Sequence, residues 1–102
     1  MENNFVASHP YIKVIREINS IQQKNVEYER RMYLYEDKLA TKHHQFPIER
    51  VFDISFREMS GGDAMLYIHT SQGVFSYSVK EDPTEFIRIF KEKEQERQDK
   101  LK

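Results

Sequence analysis

The second half of the chain alternates apolar and polar residues in three runs. Residues 51–58, 64–70 and 74–80 each place an apolar side chain at every second position, as strands with one buried face do. Short segments at 60–63 and 71–73, which contain the three glycines, separate these runs. The pattern therefore predicts three neighbouring antiparallel strands that share one apolar face.

The register of the first two of these strands follows from the requirement that opposed side chains share a face. Apolar residues meet when Phe56 lies opposite Leu66 and Ile54 lies opposite Ile68. This pairing requires a loop of three or five residues, with a glycine at positive φ. The alternation also places Phe52 on the buried face.

The second and third strands are joined by a turn whose expected two-residue loop lies at 72–73. This loop sets Leu66 opposite Val79. It also sets Ile68 opposite Tyr77, so the apolar residues of the hairpin remain on one face.

A helix is predicted to follow, because the apolar period changes from two to 3.6 after Asp82. Asp82 is a suitable N-cap, Pro83 suits the first helical position, and Glu85 resembles the acid of a capping box. An apolar band wide enough to cover a sheet face follows: Phe86, Ile87, Ile89 and Phe90. Residues 92–102 are almost all polar or charged and are expected to form a charged helical tail.

The first half of the chain is less regular. Its apolar residues recur at spacings of three and four: Tyr11, Val14, Ile15, Ile18 and Ile21. This spacing predicts an amphipathic helix over residues 10–24, with a strand at 11–18 as the alternative because β-branched residues are dense there. Residues 29–36 and 39–46 are then expected to form a hairpin, unless the first helix continues toward Tyr35.

These elements predict an α+β fold. It consists of an antiparallel sheet of about five strands packed against a C-terminal helix, with an N-terminal amphipathic helix. Residues 1–9 are expected to be disordered, and residues 10–91 to form a single domain. A chain of 102 residues has room for one core.

Composition narrows the class of protein. The chain has no cysteine, which removes disulfides, thiol nucleophiles and most structural zinc sites and suits a reducing compartment. No apolar run approaches the ~18 residues of a membrane span, and residues 1–4 lack the features of a signal peptide. We therefore expect a cytoplasmic protein. Its net charge of −1 disfavours nucleic acid as a partner. The chain could bind a membrane surface only through a local basic patch.

Several segments of the chain resemble a known architecture. Residues 46–57, 66–70, 73–77 and 82–86 resemble the later strands and closing helix of small bacterial pleckstrin-homology-like domains. The resemblance covers roughly residues 30–91. It implies a scaffold that binds proteins or lipids, without catalytic machinery or a cofactor. Such a domain has seven strands before its helix, whereas about five are predicted after residue 30.

Candidate chemistry is sparse. Lys42-His43-His44 is the one concentration of histidines, but neighbours on a strand point to opposite faces, so no metal site is expected. Serine, histidine and aspartate share the second sheet face without a nucleophile motif, so no enzyme is expected. The candidate partner-binding residues are Lys42, His44, Arg57, Met65, Tyr67 and His69.

We therefore expect a non-enzymatic protein-interaction module, such as an inhibitor, immunity or adaptor factor, with an unidentified protein partner. The alternative is an electrostatic binder of a membrane surface or nucleic acid through a basic and aromatic patch that includes Lys38, Lys42, Arg50 and Arg57. A homodimer is a further expectation, because an incomplete sheet leaves edge strands that can pair.

Overall fold

The computed structural model describes residues 4–18 and 22–100, which form one antiparallel sheet and one long helix. The strands are β1 (Ala7–Ile18), β2 (Gln23–Leu34), β3 (Lys38–Ala40), β4 (Gln45–Pro47), β5 (Val51–Glu58), β6 (Ala64–Thr70) and β7 (Gly73–Val79). Helix α1 (Thr84–Lys100) follows, and single 3₁₀ turns lie at Ile48–Arg50 and Ser60–Gly62. The strand order is β4-β3-β2-β1-β7-β6-β5. No helix of the described residues is long and apolar enough to cross a membrane.

The predicted N-terminal helix over 10–24 is wrong, and the alternative strand at 11–18 is what the chain forms. β1 pairs with β2 at every position from Ala7 opposite Leu34 to Ile18 opposite Gln23. Apolar residues here, such as Val14 and Ile15, lie on both faces of the hairpin, and this arrangement imitates a helical stripe. Residues 19–21, which belonged to the predicted helix, lie outside the described part of the chain. β1 begins within the segment 1–9 that was expected to be disordered.

The expected sheet of about five strands is also wrong, since the described chain has seven. The predicted strand at 39–46 is divided into β3 and β4, which contain three residues each. A tight turn separates them: the Thr41 N–H donates to the His44 carbonyl at 2.8 Å, and the His44 N–H donates to the Thr41 hydroxyl at 3.2 Å.

The register of β5 and β6 is confirmed at its centre and broken at one end. Ile54 lies opposite Ile68, as predicted, but a β-bulge falls between Val51 and Asp53. The bulge adds one residue to β5 and reverses the alternation there. Val51 is consequently 3% exposed and Phe52 59% exposed. The prediction that Phe52 is buried is therefore wrong.

The turn between β6 and β7 lies one residue earlier than predicted. Thr70 is opposite Gly73, so the loop is Ser71-Gln72 and Ile68 faces Phe75 instead of Tyr77. The Thr70 hydroxyl explains the shift, since it accepts from the Gln72 N–H at 3.1 Å and donates to the Gly73 carbonyl at 2.8 Å. The register moves by two residues, which leaves every side chain on its predicted face.

The sheet curls over its apolar face, so that strands from its two halves meet. The rings of Phe46 on β4 and Phe75 on β7 pack edge to face, with centroids 4.9 Å apart. α1 closes the open side of the core with Phe86, 3% exposed, and Phe90, fully buried. One ion pair ties α1 to β5, Lys91–Asp53 at 3.6 Å, and another ties it to the loop after β2, Lys93–Glu36 at 3.0 Å.

The predicted start of α1 is confirmed. Asp82 accepts a hydrogen bond from the Thr84 N–H at 2.9 Å, and the Ile87 N–H donates to the Pro83 carbonyl. The hydrogen bonds from Thr84 hold the pKa of Asp82 below its usual value. Glu85 does not complete a capping box, because its carboxylate is paired with Arg88.

The bulge in β5 makes a testable prediction about two adjacent residues. Val51→Ala removes two methyl groups from the core and should lower the free energy of unfolding by about 1.5–2.5 kcal/mol. Phe52→Ala removes a much larger but exposed side chain and should change it by no more than about 0.5 kcal/mol. Urea denaturation of both variants measures the difference, and a greater loss for Phe52→Ala would contradict the bulge.

Candidate functional site

One broad surface is the side of β5, β6 and β7 that faces away from the core, here named the outer face. The strand registers place nine side chains on it: Asp53, Ser55, Arg57, Met65, Tyr67, His69, Val74, Ser76 and Ser78. They stand there because apolar residues occupy the alternate, inward positions of the same strands. Met65, Tyr67 and His69 are half-buried, whereas Val74 is 59% exposed.

The centre of the outer face is an aromatic ring between two small side chains. Tyr67 lies opposite Ser55 on one side and Ser76 on the other. Directly opposed residues on one face lie close enough for their side chains to interact. Because a serine side chain is short, both flanks of the Tyr67 ring remain accessible between the neighbouring strands.

Among these nine residues, the two charged ones on β5, Asp53 and Arg57, lie at the β5 edge. In the next row Met65 lies between Arg57 and Ser78, and the Ser78 hydroxyl is 3.5 Å from the Met65 sulfur. Asp53 is drawn toward the helix by its contact with Lys91. The middle of the surface therefore presents uncharged groups, with charges at its edge.

His69 and Ser55 form a polar pair on the outer face. The His69 Nε2 and the Ser55 Oγ are 2.9 Å apart. A hydrolytic triad also needs a carboxylate on the other ring nitrogen. Within the described residues no carboxylate contacts His69, since the nearby Asp53 faces Lys91. The Ser55–His69 pair can therefore donate hydrogen bonds to a partner and accept them from it.

The six candidate residues predicted from the sequence are divided between two places. Arg57, Met65, Tyr67 and His69 lie together on the outer face, whereas Lys42 and His44 lie in the β3–β4 turn. His44 stacks on Phe46, with centroids 5.7 Å apart and planes within 4°. The Lys42 N–H donates to the hydroxyl of Tyr11 at 3.1 Å. The fold thus separates most of the set predicted as one site, although His44 and Met65 both line the same cavity.

A cleft adjoins the outer face and shares Met65, Ser76 and Ser78 with it. It opens where β1 and β7 diverge and is here named the splay cleft. The two strands pair at Ile12 opposite Ser78 and separate beyond that point, and the β3–β4 turn borders the gap. The cleft has a volume of about 310 Å³. Its lining consists of Tyr11, Ile12, Lys13, Val14, Arg30, Thr41, His43, His44, Met65, Ser76, Tyr77 and Ser78.

The splay cleft is basic and aromatic. Lys13, Arg30, His43 and His44 line it, and no aspartate or glutamate of the described chain is among its lining residues. Its floor contains Tyr77, whose ring centroid is 5.0 Å from that of Tyr11. Burial raises the pKa of the Tyr77 phenol, against a smaller opposite effect of the Thr41 hydroxyl.

Sequence reasoning missed Lys13 and Arg30 as functional candidates. The predicted helix over 10–24 separated them, whereas the β1–β2 hairpin sets Arg30 opposite Tyr11, two residues before Lys13. Only the register of this hairpin could have revealed their proximity, and the mixed periodicity of the first half concealed it.

The basic residues proposed from the sequence are spread over separate elements. Lys38 is in β3, with its ammonium 5.1 Å from the centre of the Tyr35 ring. Lys42 follows β3, Arg50 ends a 3₁₀ turn, and Arg57 is in β5, at the far end of the strand order. No group of three or more potential metal ligands occurs in the part of the chain that the structure describes.

Comparison with known proteins gives no family for the chain: no protein-family model matches it, and neither does any curated protein. The architecture is therefore the available point of comparison. A small antiparallel sheet followed by a C-terminal helix is compatible with a pleckstrin-homology-like fold. The count of seven strands before the helix is the one that the resemblance implies.

Proposed function

We propose that this chain is a non-enzymatic protein-interaction module built on a pleckstrin-homology-like scaffold and acting in the cytoplasm. Its partner would be a protein that docks on the outer face, in the manner of an inhibitor, immunity or adaptor factor. The observation that carries the proposal is the position of Tyr67, which lies between Ser55 and Ser76 at the centre of an exposed sheet surface.

Tyr67 has the properties of an interface anchor. Tyrosine is enriched among the residues that dominate binding energy, because it buries a large apolar ring and keeps a polar end for hydrogen bonding. The neighbouring serines leave room for a partner's side chains on both flanks of the ring. Met65 extends the apolar area along the same strand, and methionine adapts to irregular partner surfaces.

The polar groups around this centre support the same function. Interfaces typically have a core depleted of charge and a polar rim. Arg57 and Asp53 lie toward the β5 edge, and the Ser55–His69 pair offers hydrogen-bonding groups beside the ring. At the other side, Val74 adds an exposed apolar side chain opposite His69.

Tyr67→Ala tests this proposal, with Tyr28→Ala as the matched control. Tyr28 is 40% exposed and lies on the β1–β2 hairpin, away from the outer face. Immobilised wild type and Tyr28→Ala should retain the same stoichiometric protein from the native cytosol. Tyr67→Ala should weaken its binding about 30-fold, as expected for a residue worth about 2 kcal/mol.

Thermal unfolding should show that both tyrosine variants remain folded. Equal retention of the protein by Tyr67→Ala and wild type would contradict a site on the outer face. A chain that retains no stoichiometric protein, and binds anionic vesicles instead, would contradict the proposed class of function.

A second candidate function is electrostatic binding of a membrane surface or nucleic acid, and the splay cleft is the feature that favours it. Two permanently charged side chains, Lys13 and Arg30, line the cleft with two histidines and no carboxylate. Such a site can bind a phosphate group even when the net charge of the chain is −1. We place this function second because only two permanently charged side chains of the described residues line the cleft.

Arg30→Glu tests the second function, with Arg31→Glu as the control. The two variants have the same change in charge, but Arg31 projects to the opposite face of β2, where it donates to the Ser8 hydroxyl at 2.9 Å. If the cleft binds phosphate groups, Arg30→Glu should reduce binding to phosphatidylserine vesicles or to a single-stranded oligonucleotide at least about tenfold. Arg31→Glu should have a much smaller effect. Equal losses, or binding that does not weaken with added salt, would contradict it.

A further inference from the structure

The distal half of β1 is a strand with one free edge. β1 pairs with β2 along its whole length, but with β7 only at Ile12 opposite Ser78. Residues 13–18 therefore have no strand of the described chain on their second side. At about 3.4 Å per residue, this edge is roughly 20 Å long. Alternate backbone N–H and C=O groups along such an edge are available to another strand.

The free edge also carries exposed apolar side chains. Val14 is 47% exposed, Ile15 37% and Ile18 66%. β-branched residues are the ones that pack best across paired strands. A polar, fully solvated hairpin tip would not require them, so their concentration here points to a strand that is covered by a partner.

Symmetry limits how two copies of this edge can pair. In an antiparallel ladder, opposed residues both direct their backbone groups toward the partner or both away from it. Identical strands must therefore pair residues of the same parity, and the two-fold axis must pass through a residue. Between 13 and 17 there are only five positions for this axis.

Charge distinguishes among the five positions. An axis at Lys13, Arg16 or Glu17 sets that residue against its own copy, which places like charges opposite one another. An axis at Val14 sets Lys13 opposite Ile15. An axis at Ile15 sets Lys13 opposite Glu17 of the second copy, and does so twice because of the symmetry.

We propose that the chain forms a symmetric homodimer by antiparallel pairing of β1 with β1 of a second copy, with the axis at Ile15. Ile15 then faces Ile15, and two Lys13–Glu17 pairs flank it on the same face. On the other face Val14 lies opposite Arg16. The ladder ends at Lys13, because Ile12 is already paired with Ser78 of its own chain. The two sheets become continuous.

The geometry has a consequence for binding. The two-fold axis gives the dimer two symmetry-related copies of the outer face. The dimer would thus present two equivalent surfaces to a partner, which raises avidity without any new contact. A ladder of five residues is short compared with a standard interface, so the dimer should be reversible and depend on protein concentration.

A single introduced cysteine tests the register. The chain contains no cysteine, so Ile15→Cys has one thiol, which in the proposed dimer lies opposite its own copy at a distance that permits a disulfide. Ile18→Cys is the control: position 18 is more exposed, but in the proposed register its copy is about 20 Å away. Under mild oxidation Ile15→Cys should form a disulfide-linked dimer at least about tenfold faster. Equal rates, or a faster reaction of Ile18→Cys, would overturn the register.

Exchanging the charges at positions 13 and 17 tests the contact between the two copies. Sedimentation velocity measures association at protein concentrations from about 10 µM to about 1 mM, a range suited to a reversible dimer. Wild type should change from monomer to dimer as concentration rises. Glu17→Lys should remain monomeric, because it replaces both attractions to Lys13 of the other copy by repulsions between like charges. Adding Lys13→Glu to this variant should restore the dimer, although the lysine introduced at position 17 still faces Lys24 within its own hairpin.

Val14→Lys gives an independent variant. It faces Glu27 in its own hairpin, which favours folding, and Arg16 of the second copy, which opposes pairing. It should therefore be a folded monomer at every concentration. The proposal is overturned if wild type is monomeric throughout, if a larger assembly forms, or if Glu17→Lys and Val14→Lys associate like wild type.

Discussion

The burial of a single apolar face is the constraint on which the structure depends. All seven described strands belong to one sheet, so one face must be covered along most of its length. Curling provides part of the cover, since Phe46 and Phe75 meet across the interior. Phe86 and Phe90 of α1 provide the rest. Without the helix, the fully buried side chains beneath it would be open to water, at a cost that scales with their apolar area.

The exposed surfaces follow from the same constraint. Since alternate residues of β5, β6 and β7 are committed to the core, the remaining positions are free to carry Tyr67, its flanking serines and the Ser55–His69 pair. The β1–β2 hairpin extends beyond the area that the core can cover, which explains why Val14, Ile15 and Ile18 are exposed. The proposed docking surface is thus a sheet face that the core leaves exposed. The proposed dimer contact is a strand edge that the rest of the sheet leaves unpaired.

Predictability from the sequence differed between the two halves of the chain for a physical reason. In β5, β6 and β7 one face is buried, so the alternation of Ile54, Leu66 and Ile68 was visible, and Asp82-Pro83 marked the helix start. In β1 and β2 much of both faces is exposed, so burial does not require apolar and polar residues to alternate. The helical spacing of their apolar residues is a coincidence. β3 and β4 are too short to show any period. The bulge at Phe52 and the Thr70 turn depend on backbone geometry that alternation does not encode.

The candidate site was predictable only in part. The four candidate residues on the outer face were predicted to share one face of the sheet, whereas the proximity of Lys13 and Arg30 depends on a register that the sequence did not reveal.

The central claim is that both parts of the sheet share one core closed by α1, and Phe90→Ala tests it most directly. This substitution removes a fully buried ring at the point of closure. Denaturant unfolding, followed by circular dichroism and by tyrosine fluorescence, should show one transition in both signals. The free energy of unfolding should fall by about 3–5 kcal/mol. A loss below about 1 kcal/mol, or separate transitions for the two signals, would contradict a single shared core.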